Sequence, residues 1–123
     1  MGAGSRCWKA AMPDAVSENE VRLAVRTLLP GGYPTLKGVA GALGLSKRTL
    51  QRRLADAGLT HTGLVTEVRH DLALELLARP GVSIKQVARR TGFANPSGFS
   101  RAFSAWTGMS PRDYRRQRPI GAN

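Results

Sequence analysis

The sequence predicts an all-α fold. Two small helical lobes, each holding a helix, a glycine turn and a basic helix, are joined by a long linker helix. Three observations predict it. Apolar residues recur at i, i+3, i+4 and i+7 in successive segments, the spacing of amphipathic helices. The order short helix, glycine break, basic helix occurs at 36–57 and again about fifty residues on. No stretch alternates apolar and polar residues as a half-buried strand does.

Residues 1–16 carry no sustained period and read as an unpatterned tail, with Trp8 and Met12 as apolar groups able to dock on the body. Ser17 with Glu20 three residues later has the form of a capping box. Val21, Ala24, Val25, Leu28 and Leu29 then follow at helical spacing, up to Pro30-Gly31-Gly32. Thr35 is placed to cap a short second helix striped by Leu36, Val39, Ala40 and Leu43. Gly44 can take the left-handed conformation that ends a helix, and Ser46 can cap the next. Helix, three-residue turn with glycine and helix 46–57 form a helix-turn-helix, closed by Gly58.

The strongest period runs from Leu64 to Ala78. Leu64, Val65, Val68, Leu72, Ala73, Leu76 and Leu77 predict a buried linker helix ending before Pro80-Gly81. Ser83-Ile84-Lys85-Gln86 is a second capping box, and Ile84, Val87 and Ala88 supply a stripe up to Thr91-Gly92. The next helix carries Phe99, Ala102, Phe103 and Trp106, with Ser97 read as its N-cap. Gly108 closes it; Ser110 and Pro111 then open a last helix as N-cap and N1. The expected partition is an unpatterned tail 1–16, a first lobe 17–60, a linker 61–79, a second lobe 80–118 and a tail 119–123.

Composition narrows the function classes. The chain has 123 residues, and 41% hydrophobic content permits a packed core. Nineteen Lys and Arg stand against eight Asp and Glu, a net charge of +11. That excess points to nucleic acid first and an anionic membrane surface second. A single cysteine, Cys7, excludes an intramolecular disulfide and agrees with a reducing cytoplasm. No apolar run reaches the length of a membrane span, and the first residues lack the apolar core of a secretory signal.

The helix at 46–57 gathers most of the informative charge. Leu50 and Leu54 share one face, while Arg48 and Arg52 point the opposite way, flanked by Lys47 and Gln51. Such a helix suits docking on a polyanion, where Arg reads guanine edges and Gln reads adenine edges. On its own the pattern also fits a solvated basic face.

Taken together, the residues resemble the DNA-binding region of the AraC/XylS family of bacterial transcription regulators. The first half carries the likeness in Val39-Ala40, Leu43-Gly44-Leu45-Ser46, Leu50 and Arg53-Leu54, and the linker in Arg69, Ala73 and Leu76-Leu77. The second half carries it in Ile84, Val87-Ala88, Gly92-Phe93, Phe99-Ser100-Arg101, Phe103, Gly108, Ser110-Pro111 and Tyr114-Arg115. The likeness covers about residues 20–118. It implies seven helices in two homeodomain-like three-helical units, with recognition helices entering successive major-groove segments of one duplex. It also implies promoter-proximal binding, more often activating, in the bacterial cytoplasm at the nucleoid. The chain departs from the family in two respects. About sixteen unpatterned residues stand where many members carry an effector or dimerisation domain, so it reads as a stand-alone regulator or a fragment of a longer one. Pro96 and Gly98 open the second recognition helix, where members commonly place larger side chains.

Within that frame Arg48, Gln51 and Arg52 are the first candidates for base contacts, joined by Ser97 and Arg101 in the second lobe. Lys47, Arg53, Ser100, Arg115 and Arg116 are candidates for phosphate contacts. Each has a plainer reading. Arg53 can lay its stem over the core. Ser97 can serve as a cap, and Arg101 can hold a phosphate. The group Arg112, Arg115, Arg116 and Arg118 can be a solvated terminal face, while Arg89 and Arg90 reach the backbone at most. Arg69, beside the linker stripe, is expected to be structural, tying the lobes by hydrogen bonds. Phe93, Phe99, Phe103, Trp106 and Tyr114 recur mostly at helical spacing, and seven aromatics in all favour core over base stacking.

Catalytic and metal chemistry find no foothold in the sequence. Cys7 has no nearby histidine, His61 and His70 lack ligand-spaced partners, and no phosphate loop, triad or carboxylate pair occurs. The reading is therefore a sequence-specific double-stranded DNA-binding regulator without cofactor or metal, and not an enzyme. RNA polymerase is a further expected partner and a membrane is not. The chain is expected to be monomeric unless an upstream dimerisation domain is missing. The rival reading is a helix-turn-helix protein-interaction module, with a DNA-modifying enzyme fragment or a membrane-surface protein behind it.

Overall fold

Local capping chemistry sets where each helix begins and ends. A computed structural model describes residues 17–117. Within them lie seven α-helices: α1 Glu18–Leu28, α2 Leu36–Ala42, α3 Lys47–Asp56, α4 His61–Leu77, α5 Ile84–Arg90, α6 Pro96–Thr107 and α7 Pro111–Gln117. A one-turn 3-10 helix, Leu29–Gly31, follows α1, and no strand occurs among the described residues. The expected tails 1–16 and 119–123, with Cys7, Trp8, Met12 and Arg118, lie outside them.

The caps follow the residue chemistry closely. Ser17 and Glu20 exchange two bonds: the Ser17 N–H donates to Glu20 Oε1 at 2.9 Å, and the Glu20 N–H to Ser17 Oγ at 3.2 Å. Thr35 accepts from the Gly38 N–H, Ser46 from Thr49, and Ser83 closes the second capping box with Gln86. One start differs from expectation. Asn95, not Ser97, caps α6: its Oδ1 accepts from the Gly98 N–H at 2.8 Å, and Pro96 occupies N1. Proline lacks the N–H that N1 leaves unpaired and carries the helical φ, so the helix starts there and Ser97 becomes its second residue.

Three helix ends use the same device. Gly44, Gly58 and Gly92 adopt φ of +71°, +77° and +87°. Each lets the next N–H reach back to the helix: Leu45 to Ala40 O, Leu59 to Leu54 O and Phe93 to Ala88 O, at 2.8 to 2.9 Å. This left-handed turn satisfies carbonyls that a helix end would orphan, and a large apolar side chain follows each glycine.

The chain divides into two units. Among the described residues, the first holds 17–28 and Pro34–Val68; the second holds Leu29–Tyr33 and 69–117. The expected grouping kept 17–60 together and set 61–79 apart as a linker. Contacts instead divide α4 between the units and draw Leu29–Tyr33 into the second, where the 3-10 turn packs on α5.

In the first unit, Val21 and Val25 of α1, Val39 and Ala40 of α2, Leu50 and Leu54 of α3, and Leu64, Val65 and Val68 of α4 are buried. In the second, Leu72, Ala73, Leu76, Leu77, Val87, Ala88, Phe99 and Phe103 are buried together with Leu29. Aromatic edges knit this core: Phe99 meets Phe93 and Phe103 with centroids 5.7 Å apart, and Tyr114 meets Phe103 at 5.6 Å. The buried Thr91 hydroxyl donates to Val87 O at 2.8 Å, so the one polar side chain in that core is satisfied.

The glycines of the two helix-turn-helix turns, Gly44 and Gly92, are not equivalent. A Cβ on Gly44 would meet nothing within 4 Å. A Cβ on Gly92 would lie 3.0 Å from Leu29 O, 3.1 Å from Leu29 Cδ2 and 3.2 Å from Gly32 O. The close approach of the Leu29–Gly32 turn therefore demands glycine at 92 beyond the demand of its φ. Gly44→Ala should lower stability by about 1–2 kcal/mol, the cost of a left-handed alanine. Gly92→Ala should lower it by about 3 kcal/mol or more, since overpacking adds to that cost. Urea unfolding of both variants checks this; equal losses would contradict the packing argument.

Candidate nucleic-acid interface

Two buried leucines fix how α3 is rotated. Leu50 is fully buried and Leu54 2% exposed, so the helix face through them is inward. Arg48 and Arg52 consequently project from the opposite face, with Lys47 and Gln51 on the flank; all four are exposed. The structure thus leaves Arg48 and Arg52 on the outward face and Gln51 on its flank, all three open to solvent. Arg53 is different. It is half-buried beside the leucines, and its Nε and Nη1 are buried without a hydrogen-bond partner. Only Nη2 remains for contact with a phosphate.

The second recognition helix repeats this frame. Phe99 and Phe103 are fully buried and stand forty-nine residues after Leu50 and Leu54. On that frame Arg48 corresponds to Ser97, Gln51 to Ser100 and Arg52 to Arg101. Ser97 and Arg101 are exposed and Ser100 is half-buried. Three long polar side chains on α3 thus correspond to a single one on α6. A hydroxyl two bonds from the backbone reaches less far than a guanidinium, so α6 presents Arg101 as its only long outward polar group in the first two turns.

Arg69 lies at the start of the second unit's part of α4. Its Nε donates to Thr91 O at 2.8 Å and its Nη2 to Gly92 O at 2.9 Å. Its guanidinium carbon sits 3.9 Å from the Phe93 ring centroid and 4.9 Å from that of Tyr33. Burial pushes the guanidinium pKa below its ordinary value. A cation on the C-cap Thr91 carbonyl and the Gly92 carbonyl just past α5 suits the negative end of the helix dipole. Arg69 therefore holds the turn between α5 and α6, and all its partners named here belong to the second unit.

The α7 arginines separate into distinct uses. Arg115 donates from Nε to Leu77 O at 3.0 Å and from Nη2 to Arg79 O at 3.3 Å, closing the C-terminal end of α4. Arg116 pairs with Asp113. That guanidinium, and then the Ser110 hydroxyl, hold the Asp113 carboxyl below its usual pKa. Both residues expected on phosphates thus have partners within the chain, whereas the Arg112 side chain makes no hydrogen bond or ion pair among the described residues. Sequence spacing places all three on one short helix and carries no sign of which carbonyls lie opposite.

The histidines have structural surroundings. His61 Nε2 lies 2.8 Å from Pro34 O, and the His70 ring meets the Trp106 ring edge-on with centroids 5.5 Å apart. Among the described residues no group of three His, Cys, Asp or Glu is placed to hold a metal, and no helix is long and apolar enough to cross a membrane.

Comparison with known proteins gives this geometry a context. A helix-turn-helix domain family profile matches residues 39–117. The transcriptional regulator VirS of Mycobacterium tuberculosis is 41% identical over 100 residues, covering 81% of this chain and 29% of its own. The C-terminal domain of AraT, a response regulator from Geobacillus stearothermophilus, is 32% identical with a TM-score of 0.69, over 83% of this chain and 85% of that one. The DNA-binding domain of AdpA, a global transcriptional factor solved with a target DNA, is 27% identical with a TM-score of 0.64, over 80% and 88%. The chain spans only 25% to 30% of the length of the curated relatives it matches.

The Arg69 clamp has a direct consequence. Arg69→Ala should cost about 1.5–3 kcal/mol, the range for hydrogen bonds from a charged donor. Arg69→Lys keeps the charge but loses the planar fork, so it should recover less than half of that. Thermal unfolding of the three proteins decides; full recovery by lysine would show that charge alone matters.

Proposed function

Because the chain belongs to the helix-turn-helix domain family of AraC-type transcription regulators, we propose that it binds double-stranded DNA sequence-specifically, close to promoters, and adjusts their transcription. Sequence is read mainly by α3, through Arg48, Gln51 and Arg52, while α6 anchors the second unit with Arg101 and short contacts from Ser97 and Ser100. Lys47 and the Nη2 tip of Arg53 take phosphates beside α3. The observation that carries this reading is the exposed pair Arg48 and Arg52 opposite two buried leucines, with Gln51 exposed on the flank beside them. AdpA, whose DNA-binding domain was solved on a target DNA, supports a duplex as the ligand. The charge of +11 supports a polyanion. Recruitment of RNA polymerase, more often as activation, action as a monomer and a bacterial cytoplasmic location complete the reading.

The chemistry divides into two parts. Lysine and arginine on phosphates supply most of the affinity and carry no sequence information. Arg48 or Arg52 can grip guanine O6 and N7 with a bidentate fork, and Gln51 can pair with adenine N6 and N7. Such pairs discriminate because the wrong base leaves a desolvated donor or acceptor unmatched.

Gln51→Ala or Arg52→Ala should weaken binding to the preferred duplex by about 1–3 kcal/mol and flatten preference at one or two positions. Anisotropy titrations against single-position duplex variants measure both; an equal loss on every sequence would remove these residues as readers. In the same titrations log K should fall steeply and linearly with log salt. A flat plot would remove the phosphate contacts.

A further inference from the structure

Among the second-unit cations that this reading leaves unused, two share one groove. Lys85, in the first turn of α5, and Arg112, in the first turn of α7, both line one groove of about 470 Å³. Ser100 of α6, Ser110, Pro96 and Pro111 line the same groove. Lys85 and Arg112 are exposed, and their side chains make no hydrogen bond or ion pair among the described residues. The Ser100 hydroxyl is half-buried and likewise makes none. Asp113, the acid beside Arg112 in sequence, bonds Arg116, and the Arg112 charge acts on it more weakly from a distance. At each helix start one amide is taken by a cap: Gln86 by Ser83, Gly98 by Asn95 and Asp113 by Ser110. The charge of the site comes from its side chains.

We infer that this groove seats one backbone phosphate of the bound duplex, gripped by Lys85 and Arg112 and receiving a hydrogen bond from the Ser100 hydroxyl. The inference rests on the DNA-binding reading above and names the anchor of the second unit. A phosphate fits because a planar guanidinium fork and an ammonium together match its oxygens and charge. An open groove with exposed cations suits a phosphate still attached to a polymer. Ser100 lies on the flank of α6 next to Arg101, so the anchored phosphate adjoins whatever α6 touches. On this account Lys85 and Arg112 do what the sequence suggested for Arg115 and Arg116, whose donors are engaged elsewhere.

The test uses a duplex that the wild-type chain binds, prepared in versions with a single neutral methylphosphonate at successive positions. Wild type and Lys85→Ala/Arg112→Ala are titrated against each. One particular neutralised phosphate should weaken wild type about tenfold and leave the double variant unaffected, with base preference unchanged. The variant's log–log salt slope should be shallower by about 0.9, the signature of one lost phosphate contact. Ser100→Ala should show the same coupling in smaller measure. Duplex binding with every methylphosphonate acting alike on wild type and variant would overturn the groove assignment alone. Pyrophosphate protecting these residues without any coupled duplex position would mark a free-phosphate site and overturn it too. Failure of wild type to bind any duplex would overturn the DNA-binding reading, and the groove's occupant with it.

Discussion

The arrangement depends on one constraint: two buried side chains four residues apart fix the rotation of each recognition helix. Leu50 and Leu54 do this for α3, Phe99 and Phe103 for α6. A helix held at two points on one face cannot turn without exposing large apolar groups, at about 1.5–3 kcal/mol each. Which residues look outward is therefore a consequence of packing. The glycine turns before each helix add the second half of the constraint. Their positive φ ends the preceding helix and sends the chain away at a set angle.

These constraints also make the two halves unequal. The pattern Val-Ala, three residues, Gly and a large apolar residue occurs at 39–45 and again at 87–93, forty-eight residues on. The buried pairs are forty-nine residues apart, so the second turn is one residue longer than the first. That extra residue lets Asn95 cap α6 and puts Pro96 at N1. The same fold device thus presents Arg48, Gln51 and Arg52 in one copy and Ser97, Ser100 and Arg101 in the other. On the proposed reading α3 reads bases and α6 holds the backbone.

Much of this was legible in the sequence, for identifiable reasons. Helix faces follow from apolar spacing, and the caps at Ser17, Thr35, Ser46, Ser83 and Ser110 follow from residue type, because these interactions are local. The outward set on α3 was legible for the same reason. What escaped depends on distant partners. The sequence suggests that Arg69 ties the lobes, whereas its hydrogen bonds to the Thr91 and Gly92 carbonyls and its contacts with the Phe93 and Tyr33 rings all lie within the second unit. Arg115 and Arg116 looked like free cations, but the carbonyls of Leu77 and Arg79 lie against one, and Asp113, three residues back, takes the other. Leu29–Tyr33 follows α1 in sequence but packs with the second unit, since Gly92 leaves room for it. Asn95 as a cap was within reach of sequence alone, because Pro96 is favoured at N1 and so points to the residue before it.

The most direct test of the central claim, that α3 reads and α6 anchors, is selection of bound duplexes from a random pool. The account predicts one short, strongly specified block in the recovered sites, flanked by a segment of fixed length with weak or no base preference. Two blocks of equal information would contradict it, because α6 would then read bases as α3 does. Recovery of no preferred sequence would contradict it more deeply, leaving the outward face of α3 a solvated surface.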